Sequence, residues 1–258
     1  MMGLADDGGL LVPNELPFVE GNLDKWRNLS FTELSLEIML LFTSQRICRE
    51  ELMSMVKLSY ASFKHSEITP VKLVGNLHVL ELFHGPTFAF KDVALQFLGN
   101  LFAFFLKELN HPLRILGATS GDTGSAAIHG LRGKQGVDVF MLYPKGRVSE
   151  IQELQMTTVF DSNIHNIAVE GSFDDAQAIV KSIFNDQKFK QTFYLGSVNS
   201  INWARILAQI VYYFYAWFRV AKDIREQVSF VVPTGNFGNV LAGYYAKSMG
   251  LPIDKLII

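Results

Sequence analysis

Residues 113–131, LRILGATSGDTGSAAIHGL, set the pattern that repeats along this chain. An apolar run over residues 113–117 reads as a short buried strand. It breaks at a turn of small polar residues and glycines, and an Ala-rich segment over 123–131 reads as a helix. The turn holds Ser120, Asp122 and Thr123 between Gly121 and Gly124. Short side chains and glycines at a strand-to-helix turn aim N–H groups and hydroxyls at an anion, with help from the helix N-terminus. An ordinary helix cap made by Ser and Asp fits the same residues.

The alternation extends both ways. Strand character recurs at residues 77–83, 137–142, 164–169, 228–232 and 256–258. Helical patterns fall at 90–109, 149–159, 173–184, 202–220 and 238–249. Short strands alternating with helices predict an α/β fold, with parallel sheets covered by helices on both faces. Residues 1–75 differ: apolar positions at three- and four-residue spacing in 31–42 and 50–62 predict a helical region.

A second strand, turn and helix occurs at residues 228–239, VSFVVPTGNFGN. Two glycines before a helix suit a bound phosphate. The segment matches neither a Walker loop nor GxGxxG, and a plain tight turn is an equal reading. The third notable stretch is residues 82–96, LFHGPTFAFKDVALQ. Its single lysine, Lys91, lies in an aromatic run behind a Gly-Pro turn. Flanked by Phe88 and Phe90, its ammonium is expected to be poorly hydrated, which lowers a lysine pKa and suits a nucleophilic amine. A lysine that lays its stem along apolar surface is the plain alternative.

Composition narrows the function classes. The chain has 258 residues, 49% hydrophobic and 19% charged, with a net charge of −2. That is enough for one large or two modest domains. Without a basic stripe, nucleic-acid binding has no electrostatic support. The one cysteine, Cys48, rules out an internal disulfide, fits a reducing compartment and is expected as a small buried hydrophobe. The first residues lack the charged and apolar regions of a signal peptide. The longest apolar run, residues 206–218, is too short to span a bilayer and predicts a buried helix. Histidines at 65, 84, 111, 129 and 165 show no metal-ligand spacing, so no metal site is expected. His84 is open to two readings, lining the site near Lys91 or serving structure.

Taken together, HGPTFAFKD, TSGDTGSA and PTGNFGN resemble motifs of the threonine synthases, pyridoxal-phosphate enzymes of the tryptophan-synthase β fold. Residues 143–156 (YPKGRVSEIQELQM), 197–205 (SVNSINWAR) and 4–17 (LADDGGLLVPNELP) carry the same resemblance. It covers the whole chain in order. It implies pyridoxal 5'-phosphate as cofactor and Lys91 as the Schiff-base lysine. It also implies a carbon–oxygen lyase reaction that turns O-phosphohomoserine and water into threonine and phosphate.

By the same resemblance, Gly235, Asn236, Phe237, Gly238 and Asn239 cradle the cofactor phosphate. Asp122 faces the cofactor or caps its helix, and Ser120 and Thr123 meet the substrate carboxylate. Lys145, Ser200 and Arg205 meet the substrate phosphate. Expected domains are a helical one at 1–75, a large α/β one from 76–111 with 201–258, and a small α/β one at 112–200. The resemblance further implies a cytoplasmic enzyme with a small-molecule substrate and neither nucleic acid nor membrane as partner, as a monomer or homodimer. Relatives are expected to continue beyond both ends of this chain. Two rival readings remain: a phospho-lyase that releases 2-oxobutyrate, and a non-catalytic fragment that binds a partner.

Overall fold

The computed structural model describes residues 9–43, 45–109, 111–198, 202–233 and 235–258. It opens with helices α1 (Leu23–Trp26), α2 (Phe31–Thr43) and α3 (Arg49–Tyr60). Strands β1 (Val71–Val74) and β2 (Leu77–Leu80) follow as an antiparallel hairpin turned at Gly75, where φ is 61°. A left-handed turn residue favours glycine. The hairpin straddles the boundary expected at residue 75, and its strands are mostly exposed. Its first strand is too short and too exposed to stand out by pattern.

From there the chain alternates. It runs α4 (Lys91–Leu106), β3 (Leu113–Ala118), α5 (Asp122–Leu131), β4 (Val137–Pro144), α6 (Glu150–Thr157), β5 (Ile164–Val169) and α7 (Phe173–Asn185). It ends with α8 (Gln187–Thr192), β6 (Leu195–Gly196), α9 (Trp203–Val220), β7 (Val228–Val231), α10 (Gly238–Ser248) and β8 (Ile253–Ile257). Four strands form one parallel sheet in the order β5-β4-β3-β6, and β7 pairs with β8 in a second parallel sheet. Helix α8 and the two-residue β6 are too short for a periodic signal.

The four-stranded sheet buries both faces. Ile115, Val139 and Met141 turn to a core shared with α4 and α5. Their neighbours Leu116 and Leu142 turn to Ala176 and Val180 of α7 on the opposite face. Alternation along each strand is what divides the two cores. Helix α4 divides as well: Val93, Ala94 and Phe97 pack with the N-terminal helices and α9, whereas Leu95, Leu98, Phe102 and Leu106 pack with α5 and the sheet.

Helix α9 is buried at 14 of its 18 residues, as its apolar run requires. Asn202 caps it, accepting from the Ala204 N–H at 3.0 Å. No helix among the described residues is long and apolar enough to cross a membrane. Cys48 departs from expectation: it is exposed, at the N-cap of α3, where its backbone N–H donates to Glu51 Oε2 at 3.2 Å. A helix start draws the residue to the surface more strongly than one small apolar side chain draws it inward.

Candidate active site

The loop before α4 is built around a carboxylate. Asp92 is fully buried and accepts from Thr87 twice, from the N–H at 2.8 Å and from Oγ1 at 2.7 Å. Burial pushes the Asp92 carboxyl up from its ordinary value, against the pull of the Thr87 bonds. A Cβ on Gly85 would stand 2.5 Å from the Asp92 side chain, so only glycine lets the backbone come this close. Gln155 of α6 ties the loop from the other side, its Nε2 donating to the Thr87 carbonyl at 3.1 Å. His129 Nε2 lies 3.2 Å from the Gln155 carbonyl, and burial lowers its pKa.

This framework sets Lys91 as the first residue of α4. Its side chain is buried, and its Nζ lies 4.9 Å from the centre of the Phe90 ring. Phe88 does not flank it as expected. Phe88 takes a left-handed backbone (φ 59°), stands exposed, and lies under the Lys64 ammonium at 4.6 Å. Nor is the Lys91 ammonium isolated among rings, because it donates to Asp122 Oδ2.

Asp122 begins α5, at the carboxyl end of β3. It does not cap the helix. That work falls to Thr119, whose buried Oγ1 accepts from Gly121 N–H at 3.0 Å and Gly124 N–H at 2.8 Å. Gly121 has φ 143°, a conformation suited to glycine alone, and this sharp turn leaves the Asp122 carboxylate pointing at Lys91. Ser120 is exposed and Thr123 half-buried. The N–H groups of Ser120, Asp122 and Thr123 meet no acceptor among the described residues.

Arg205, in the first turn of α9, is buried to 3% exposure. Its Nη1 donates to the Val198 carbonyl at 2.8 Å, while its Nε has no partner among the described residues. Burial draws its pKa down to about 10, opposed chiefly by the field of Asp122. Asp122 thus bonds one buried cation, Lys91, and its field reaches a second, Arg205. A buried guanidinium with donors to spare is suited to an anion.

The turn after β7 offers a second set of donors. Residues 235–237 are exposed, and a Cβ on Gly235 would meet no atom of the described residues within 4 Å. Helix α10 starts at Gly238, and the first N–H groups of a helix have no acceptor inside it. Asn239 differs from a simple phosphate ligand: its side-chain oxygen accepts from the hydroxyls of Tyr212 and Tyr213. Lys145 is not drawn toward Arg205. It is exposed and pairs with Glu170 at 3.1 Å. Its position after β4 put it in a plausible loop, but a carboxylate across that loop holds it. Ser200, Asn199 and Thr234 lie outside the described residues. His84 has Nε2 2.8 Å from Glu81 Oε2 and its ring against His65 and Phe83. Among the described residues no three His, Cys, Asp or Glu side chains cluster for a metal.

Sequence reasoning passed over Thr119, Asp92, Gln155 and the Tyr212–Tyr213 pair. Asp92 carried a signal, a lone carboxylate in an apolar helix beside Lys91. The tyrosines carried one too, seven and eight residues after Arg205 on the same helical stripe. Thr119 and Gln155 carried none that stands out from their neighbours.

The chain matches the family model of the threonine synthase N terminus over residues 1–60. It matches that of the pyridoxal-phosphate dependent enzymes over residues 67–254. Among curated proteins it is 57% identical to a threonine synthase of Schizosaccharomyces pombe, covering all of this chain and 52% of that protein. A threonine synthase of Eremothecium gossypii is 55% identical, with all of this chain and 54% of that protein covered. The chain spans about half the length of the curated relatives it matches. A crystal structure of yeast threonine synthase superposes with a TM-score of 0.92 at 53% identity, over 98% of this chain and 53% of that one. A pyridoxal-phosphate-bound threonine synthase of Brucella melitensis gives 0.93 at 47% identity, over 98% and 55%. With its parallel sheets, its enclosed lysine and a family match over most of its length, the chain belongs to the pyridoxal-phosphate dependent enzymes.

Proposed function

We propose that this chain serves a threonine synthase reaction: O-phosphohomoserine and water give threonine and phosphate. The observation that carries this reading is the hydrogen bond from the buried Lys91 at the start of α4 to Asp122 at the start of α5, with the buried Arg205 within the field of the same carboxylate. Similarity to threonine synthases across the whole chain supports it.

The residues present fit pyridoxal 5'-phosphate. The space at Gly235 and the open donors at the start of α10 suit its phosphate, which gains about 1 kcal/mol from the helix dipole. The main chain of Gly235, Asn236, Phe237, Gly238 and Asn239 would hold that group, and Lys91 would bond its carbonyl carbon. When bound, the cofactor supplies a sink for the charge that develops on the substrate's carbons.

The protein's share is placement and proton transfer. Asp122 holds the Lys91 side chain by a hydrogen bond, so that its amine serves protons first at the substrate's α-carbon and then at its β-carbon. Ser120 and Thr123 offer hydroxyls to the substrate carboxylate. The N–H groups of Ser120, Asp122 and Thr123 add donors that Thr119 does not occupy. Arg205, with Ser200 and Lys145, receives the substrate phosphate; for Lys145 this means leaving Glu170. Phosphate leaves the γ-carbon and the elements of water add so that a hydroxyl rests on the β-carbon. We place the reaction in the cytoplasm, as a lone exposed thiol fits a reducing compartment.

The test is product analysis with purified protein, pyridoxal 5'-phosphate and O-phosphohomoserine. Threonine and phosphate in equal amounts are expected. Release of 2-oxobutyrate would replace this reading with a phospho-lyase. Cofactor binding without phosphate release would replace it with a binding role.

A further inference from the structure

Helix α9 is one of the most buried elements of the fold, yet it carries a polar stripe. Arg205, Gln209, Tyr212 and Tyr213 stand at intervals of four, three and one, so they share one face. All four are at least 95% buried. An apolar stripe would be simpler to bury, and a polar one is tolerated only when its groups find partners.

These groups do so in sequence. Gln209 Nε2 donates to the Arg205 carbonyl at 3.0 Å. The Tyr212 hydroxyl has one proton and two acceptors within reach, Gln209 Oε1 at 3.1 Å and Asn239 Oδ1 at 2.5 Å. The Tyr213 hydroxyl lies 3.0 Å from both Asn239 Oδ1 and the Asn239 carbonyl. Burial raises the pKa of both phenols, so they stay protonated and act as donors.

The stripe therefore ends on Asn239, the second residue of α10 and the last of the 235–239 turn. Residues 235–237 are exposed, so the turn is anchored at its helical end and open at its outer side. One rigid helix holds the buried guanidinium at its start and the first turn of α10 through these two hydroxyls.

We propose that Tyr212 and Tyr213 are positioning residues for the cofactor phosphate: by fixing Asn239 to α9, they aim the main-chain donors of residues 235–239 at that dianion. This rests on the functional reading above and deepens it.

The experiment compares affinity for pyridoxal 5'-phosphate with affinity for pyridoxal, which lacks the phosphate, followed by cofactor absorbance. Wild type, Tyr213→Phe and the Tyr212→Phe/Tyr213→Phe double variant are measured. In the double variant, pyridoxal 5'-phosphate is expected to bind about tenfold more weakly, the effect of one impaired hydrogen bond to a charged group, with pyridoxal affinity unchanged. Should the double variant not fold, Tyr213→Phe alone is expected to shift the same ratio by about threefold, as Tyr212 keeps its bond to Asn239. Equal weakening of both ligands, or none, overturns the positioning role and leaves the site assignment standing. A wild type that does not prefer the phosphorylated ligand overturns the site assignment itself.

Discussion

Replacing Gly99 by alanine strikes the contact that sets the distance between α4 and α5. A Cβ at Gly99 would lie 1.9 Å from the Gly130 carbonyl oxygen, against a practical minimum of 3.0 Å, so the helices must part by about 1.1 Å. The obstacle is backbone, and no rotamer relieves it. Alanine gains up to about 1 kcal/mol in helix propensity. Overpacking against backbone costs about 3 kcal/mol, the upper end of its usual range. The net loss is about 2 kcal/mol, a fall in Tm of about 4–8 °C for a chain of this size.

The consequence reaches the site. Lys91 begins α4 and Asp122 begins α5, so a separation of this size breaks their hydrogen bond. The assay is thermal unfolding by circular dichroism together with pyridoxal 5'-phosphate affinity. Gly21→Ala serves as control, because no atom of the described residues lies within 4 Å of its Cβ position. A Gly99→Ala protein that melts with the control and binds cofactor as wild type does would refute the claim that this glycine contact sets the site.

Two further outcomes are expected. Thr119→Val keeps the volume but removes the acceptor shared by the Gly121 and Gly124 N–H groups, and is expected to destabilise by about 2 kcal/mol, seen as a lower urea midpoint at unchanged m. Asp92→Asn alters the pH dependence of stability. The folded carboxyl has a raised pKa, so its contribution is full below the ordinary value of 3.8 and is lost as pH rises through the folded value. Removing that titration should make the stability curve rise more steeply, or fall less, over this window. Parallel curves for wild type and Asp92→Asn in pH-dependent urea melts would contradict the assignment.

Much of the architecture was legible because each βα unit carries two signals at once, a short apolar run and a turn rich in glycine. Residues 113–131 and 228–249 carry both. The enclosure of Lys91 was legible from the aromatic, nearly uncharged run in which it sits, although only Phe90 of its two flanking rings lies close. What pattern could not supply was the identity of tertiary partners. Nothing near Lys145 in sequence points to Glu170, and nothing near Thr87 points to Gln155 across the fold. Cys48 was misread because composition speaks of average burial, whereas a helix cap obeys local geometry. The hairpin at 71–80 escaped in part because its register depends on pairing and not on a buried face.

The decisive group is one amine, that of Lys91. Incubation with pyridoxal 5'-phosphate, reduction with borohydride and mass spectrometry of the digested protein locate the lysine that bonds the cofactor. A pyridoxyl group on Lys91, absent from Lys91→Ala, is the expected result. The same group on another lysine, or on none, would contradict the account.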